Sequence, residues 1–120
     1  METVFRRNNR HAKRLTKSQR ADITFPVSRV HRHLRKRKYV NRIRVYSAVY
    51  LAVVLEYLVA ETLELAGNEA KEQKRKRIVP RHIMLAIRKD GDLSDLLKEV
   101  MISFSGVVPN IQAPLLVQKK

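Results

Sequence analysis

One hundred and twenty residues suffice for one domain with a modest core. The net charge of +15 and the pI near 10.8 lie far from those of an ordinary metabolic enzyme, and the lack of cysteine excludes disulfides and thiolate metal sites. Residues 1–44 carry 15 Lys/Arg against 2 acids and residues 45–120 carry 11 against 9, so a polyanion, either nucleic acid or an anionic membrane surface, is expected to meet the front half.

The opening METVFRRNNR is charged and runs into more charge. No secretory signal is therefore expected, and the protein is expected to be soluble and intracellular. Residues 1–15 hold Arg6, Arg7, Arg10, Lys13 and Arg14 with few large apolar side chains. Such a segment cannot bury enough surface to offset its ordering entropy, which predicts a disordered basic arm. Thr16 and Gln19 stand at capping-box spacing and predict a short helix to about Asp22. Phe25-Pro26 opens a clearer helix, since proline suits a first turn and Val27, Val30, His31 and Leu34 recur at helical spacing. Arg29, Arg32, Arg35 and Lys36 lie off that stripe. The helix should end near Arg37-Lys38, before a loop over 39–45.

From 46 to 73 there is no proline and one glycine, Gly67. Read as one helix, this stretch spans about 42 Å. Its first half, AVYLAVVL, is apolar on every side, as in a helix buried all round. Further on, Leu51, Leu55, Leu58, Thr62 and Leu65 alternate at four and three, with Glu56, Glu61 and Glu64 on another arc. The most apolar window, 45–60, contains Glu56 and is too short and acidic to cross a bilayer. A basic loop, KRKR at 74–77, leads to an extended Ile78-Val79. Pro80 then starts a helix (Ile83, Met84, Ala86, Ile87) expected to stop at Asp90-Gly91 through a glycine cap. Asp92 is expected to cap a last short helix with Leu93, Leu96, Leu97 and Val100 on its apolar face. Gly106, Pro109 and Pro114 leave VVPNIQAPLL irregular.

The fold class is all-α, and its order poses a physical problem. Two short helices cannot cover a long helix that is apolar on nearly every side. An obligate partner with a similar long helix is implied, with Leu51, Leu55, Leu58 and Leu65 at the dimer interface.

RADITFPVSRVHRHLRK, VYLAVVLEYLVAETLELAGNEA, RIVPRHIMLAIR and GVVPNIQAPLL resemble the core histone called histone 2A, in order and without insertions, over roughly residues 16–118. The resemblance implies the histone fold: a short helix, a long central helix and a short helix, then a short C-terminal helix and an extended docking tail. The domain is expected over 16–100, and the docking segment with its short tail over 101–120. It also implies an obligate heterodimer with histone 2B, assembly with histones 3 and 4, and wrapping of double-stranded DNA in the nucleosome. The nucleus and the chromosome are the locations it implies.

The same resemblance assigns candidate sites. Arg42 and Arg77 match arginines that reach inward-facing minor grooves, where a narrow groove focuses negative potential. Arg29, Arg32, Arg35 and Lys36 match positions near phosphates, and Lys17 and Arg20 match the region before them. Arg44, Lys74, Arg75 and Lys76 complete the candidate DNA-binding set. Phosphate contacts position DNA without reading its sequence. Glu56, Glu61, Glu64, Asp90 and Asp92 match an acidic patch that receives arginine anchors from chromatin proteins and a neighbouring histone tail. Val107, Val108, Pro109, Asn110, Ile111 and Leu115 match the segment that docks along histones 3 and 4.

No cofactor or metal is expected. His11, His31, His33 and His82 lack partners at ligand spacing; His31 is expected to be packed, and His33 and His82 to lie at the surface or an interface. The carboxylates are accompanied by no nucleophile or pocket signal, so catalysis is not expected. Some positions depart from the family. Arg44 and Tyr46 enter a loop usually built of small residues, Gly91 replaces a usual glutamate, Pro114 is new and the tail is short. A divergent or variant member is expected. A histone-fold transcription subunit is the competing reading, because it too heterodimerises and contacts DNA. A membrane-active basic protein is disfavoured by the placement of its acids.

Overall fold

The structure, a computed structural model, describes residues 14–112 and residue 115. Residues 1–13 of the expected arm, Pro114 and Lys119-Lys120 lie outside the described residues. The described residues form helices α1 (Lys17–Arg20), α2 (Val27–Arg37), α3 (Val45–Glu72), α4 (Pro80–Lys89) and α5 (Gly91–Leu96), and no strand occurs among them. The short–long–short order and the final short helix match expectation. No helix among the described residues is long and apolar enough to cross a membrane. The chain divides into two compact units, one up to Glu56 and one from Tyr57, with α3 contributing to both.

The first unit is built by apolar spacing and local caps. Val27 and Val30 on α2 are buried with Ala48 and Ala52 on α3, and Phe25, Leu34, Leu51 and Leu55 pack around them. The two alanines let the helix backbones approach closely, so a small core suffices to hold α2 on α3. Thr16 caps α1, accepting from the Gln19 amide at 3.2 Å while the Gln19 side chain accepts from the Thr16 amide at 2.9 Å. Ser18 joins α1 to α2: its hydroxyl donates to the Phe25 carbonyl at 2.8 Å and accepts from the Val27 amide at 3.1 Å. Pro26 has no side chain to cap α2. The Glu56 carboxylate instead accepts from the Thr24 and Phe25 amides at 2.8 and 2.7 Å. Both amides precede the first turn, so Glu56 fixes the chain that leads into α2, while the first-turn amide of Val27 is the one that Ser18 accepts.

The second unit has a core of Ala66, Ala70, Met84, Leu85, Ala86, Ile87 and Leu93. Around it runs a polar chain. Lys89 pairs with the buried Glu69 and, at 3.6 Å, with Glu72. Gln73 donates to Glu69 at 3.0 Å, and its oxygen lies 3.2 Å from Nε2 of His82. His82 is buried rather than at the surface, and its Nδ1 accepts from the Val79 amide at 3.2 Å. That bond caps α4, whose N-cap residue Val79 has no polar side chain. A buried imidazole needs partners at both nitrogens, and periodicity alone could not reveal that Gln73 and Val79 supply them.

The junction of α4 and α5 also differs from expectation. Asp90, not Asp92, caps α5, with its carboxylate accepting from the Leu93 amide at 2.8 Å. Asp90 has extended backbone angles (φ −86, ψ 127), so α4 stops without a left-handed glycine, and Gly91 is the first residue of α5. Side-chain capping three residues ahead replaces the glycine cap. Of the expected apolar face of α5, Leu93 is buried and Leu97 half-buried, while Leu96 and Val100 are exposed.

Candidate nucleic-acid interface and docking faces

On α2 the basic side chains fall opposite the core. At about 100° per residue, Arg29, Arg32, Arg35 and Lys36 occupy one arc of about 120°, and Val27, Val30, His31 and Leu34 occupy the opposing one. The four cations are exposed, as are Lys17 and Arg20 on α1. Arg35, Lys36 and Arg37 also sit in the last turn of α2, where positive charge complements the helix carbonyls.

Each basic loop is entered through a lysine in the left-handed region. Lys38 ends α2 with φ 51. At the end of α3, Lys74 has φ 54, the Arg75 amide donates to the Ala70 carbonyl at 2.8 Å, and the Lys74 amide donates to Lys71 at 2.9 Å. This is a Schellman ending with lysine where glycine is usual. Beyond these turns the cations gather. Arg35, Lys38, Arg42 and Arg44 line an open depression of about 660 Å³ in the first unit, with Ile43 held by a 3.4 Å contact from its carbonyl to His31 Nε2. Arg75, Lys76, Arg77, Arg81 and His82 line another of about 620 Å³ in the second. Neither depression has an acid in its lining.

Among the described residues, ion pairs involve Lys89 alone, with Glu69 and Glu72. Lys17, Arg20, Arg29, Arg32, Arg35, Lys36, Arg42, Arg44 and Lys74 to Arg77 therefore have no carboxylate partner among them. The Lys89 ammonium holds the Glu69 carboxyl below its ordinary value, outweighing the opposing effect of burial, and Glu69 raises Lys89 in return. Free cations around open concavities form a surface that takes phosphate oxygens in many orientations.

The acidic candidates are divided in their employment. Glu61 and Glu64 lie one turn apart on α3, half-buried and exposed respectively, and Asp92 is exposed in the first turn of α5. Glu56 already accepts from two backbone amides, and Asp90 caps α5. A Cβ added at Gly91 would meet nothing within 4 Å. No group of three or more His, Asp and Glu side chains able to hold a metal occurs among the described residues.

The candidate dimer-interface residues Leu51, Leu55, Leu58 and Leu65 are half-buried, and Leu51 and Leu55 pack on the core of the first unit. A different arc of α3 is more open: Tyr46 is 82% exposed, Tyr50 76% and Tyr57 67%. These tyrosines stand at i, i+4 and i+11, on one side of the helix. In the C-terminal segment, Val107, Val108, Pro109, Asn110, Ile111 and Leu115 are all exposed. Arg81, which sequence spacing did not single out, donates to the carbonyls of Ser105 and Val107 at 3.2 and 3.1 Å.

Two family profiles match the chain. The profile of the core histone domain, common to histones 2A, 2B, 3 and 4, matches residues 5–89, and the profile of the C-terminus of histone 2A matches residues 92–120.

Proposed function

The chain belongs to the core histone family, in its histone 2A branch, and on that premise we propose that it packages duplex DNA in the nucleus as the obligate partner of histone 2B. The observation that carries this reading is the free basic surface. The exposed cations of α1, α2 and both loops face solvent without carboxylate partners among the described residues. Such a surface binds phosphates and minor grooves irrespective of sequence. The role is structural rather than catalytic.

The open tyrosine arc of α3 and its neighbouring valines supply the apolar surface for histone 2B. The exposed Val107, Val108 and Ile111 supply the docking contact with histones 3 and 4. Reconstitution with histones 2B, 3 and 4 tests this. A particle protecting about 146 base pairs from nuclease is the expected product. A heterodimer that binds DNA but never joins histones 3 and 4 favours the transcription-subunit reading instead. Binding of the heterodimer to unrelated duplexes should weaken steeply with salt; a flat response overturns the phosphate-contact reading.

Glu61, Glu64 and Asp92 form the arginine-accepting part of the acidic patch, while Glu56 and Asp90 contribute less because backbone amides already occupy them. Glycine at 91 removes a charge and marks the chain as a variant. Gly91→Glu fits the open space there. It should tighten binding of an arginine-anchored peptide, and unchanged affinity counts against this assignment.

A further inference from the structure

Arg81 belongs to neither the candidate DNA-binding set nor the docking set, yet it touches elements of both. Its Nη1 donates to the carbonyls of Ser105 at 3.2 Å and Val107 at 3.1 Å. Nη1 carries two hydrogens, and both are directed to the carbonyls that flank Gly106. The backbone turns around the guanidinium at this point. Gly106 has φ +71, and a Cβ built on it would stand 2.7 Å from Nη1. A side chain at 106 would push Nη1 off this position and strain the left-handed backbone, and so would weaken this pair of hydrogen bonds. The near side of the turn is fixed by the buried Ser105, whose hydroxyl donates to the Ile102 carbonyl at 2.7 Å.

The rest of the guanidinium is free. Nε and Nη2 carry three further hydrogens, and none has a partner among the described residues. The same side chain lines the basic depression with Arg75, Lys76, Arg77 and His82. It also lines a second concavity with Val108 and Pro109.

We propose that Arg81 is a positioning residue that ties the segment 105–109 to the basic depression. One edge of its guanidinium holds the segment by two carbonyls, and the other edge takes phosphate oxygens that enter the depression. Phosphate occupancy thereby stiffens the segment and fixes the apolar Val107 and Val108 for docking. A lysine cannot substitute, because its donors radiate from one atom and offer no second edge. The source of the phosphate rests on the duplex-DNA reading above.

The test is amide hydrogen exchange of the full chain, refolded with histone 2B, with and without a short duplex. Without DNA, amides 105–108 should exchange roughly tenfold more slowly in the wild type than in R81Q or G106A. Saturating duplex should slow them further in the wild type and leave R81Q, R81K and G106A unchanged. G106A keeps the charge at position 81 and should hold its duplex affinity within about twofold, which separates loss of the tie from loss of charge. Equal exchange in the wild type and R81Q overturns the tie. Protection unaltered by bound duplex overturns the coupling. Absence of duplex binding by the wild type overturns the DNA reading and the coupling with it, while the DNA-free exchange still decides the tie.

Discussion

Up to Glu56 the chain is held by a small apolar core and by side chains that cap backbone amides, and none of its cations meets a carboxylate among the described residues. From Tyr57 onward, charge and polarity are built into the fold: Lys89 with Glu69, Gln73 with His82, and Arg81 with two carbonyls. Among the described residues of that unit, Lys71, Lys74 to Arg77 and Lys98 are free in the manner of the first. A cation paired inside a fold contributes to geometry and local stability, whereas an unpaired one remains available to an external anion. On the proposed reading, the first unit is mainly a binding surface. The second combines a smaller basic loop with the Arg81 hydrogen bonds to a C-terminal segment.

The contrast breaks most sharply at the apolar core of the first unit. Val27 is fully buried, and Val27→Asp places an unpaired carboxylate there, at a cost of about 4 kcal/mol. Denaturant unfolding of the heterodimer should show a large fall in midpoint; a change within error removes the core from its assigned role. Neutralising Arg29, Arg32, Arg35 and Lys36 together to glutamine leaves that core intact and should lower duplex affinity by roughly two orders of magnitude. The salt slope should fall by about 3 to 4 as well, since each lost phosphate contact removes about 0.9. An unchanged slope makes α2 a solvated face.

Glu56→Ala sharpens the distinction between acids that hold backbone amides and acids proposed to dock. Two amides lose a charged acceptor, so stability should drop by about 1–2 kcal/mol in denaturant melts. Peptide binding at the acidic patch should change less than it does on replacing Glu61 or Glu64.

The smallest effect is that of pH on the second unit. Glu69 is lowered by the Lys89 hydrogen bond. Its contribution is complete above the ordinary carboxylate pKa of about 4.3 and is lost as pH falls through the lowered value. Lys89 is raised by Glu69, so its contribution is complete below the ordinary lysine pKa of about 10.4 and is lost as pH rises through the raised value. Thermal midpoints should therefore fall modestly at both extremes, and Lys89→Met should flatten both limbs. The change stays small because Lys89 is largely exposed and screened by water.

Much of this is legible in the sequence. The Thr16–Gln19 spacing, the apolar repeat through Val27, Val30 and Leu34, the proline-free run to Gln73 and Pro80 place the helices, because local propensity and periodicity act within a few residues. The surplus of cations in the front half implied a polyanion partner, since charge is a property of composition. Tertiary structure decided which polar groups are engaged. Glu56 reaches back 31 and 32 residues to the amides that lead into α2, and Arg81 reaches forward 24 and 26 to hold the segment around Gly106. His82, buried against Gln73 and Val79, and Asp90, at a junction where glycine or Asp92 fitted the pattern as well, belong with them. Periodicity says which face a side chain occupies. Its hydrogen-bond partner depends on which distant backbone the fold brings to that face, and residue spacing does not carry that information.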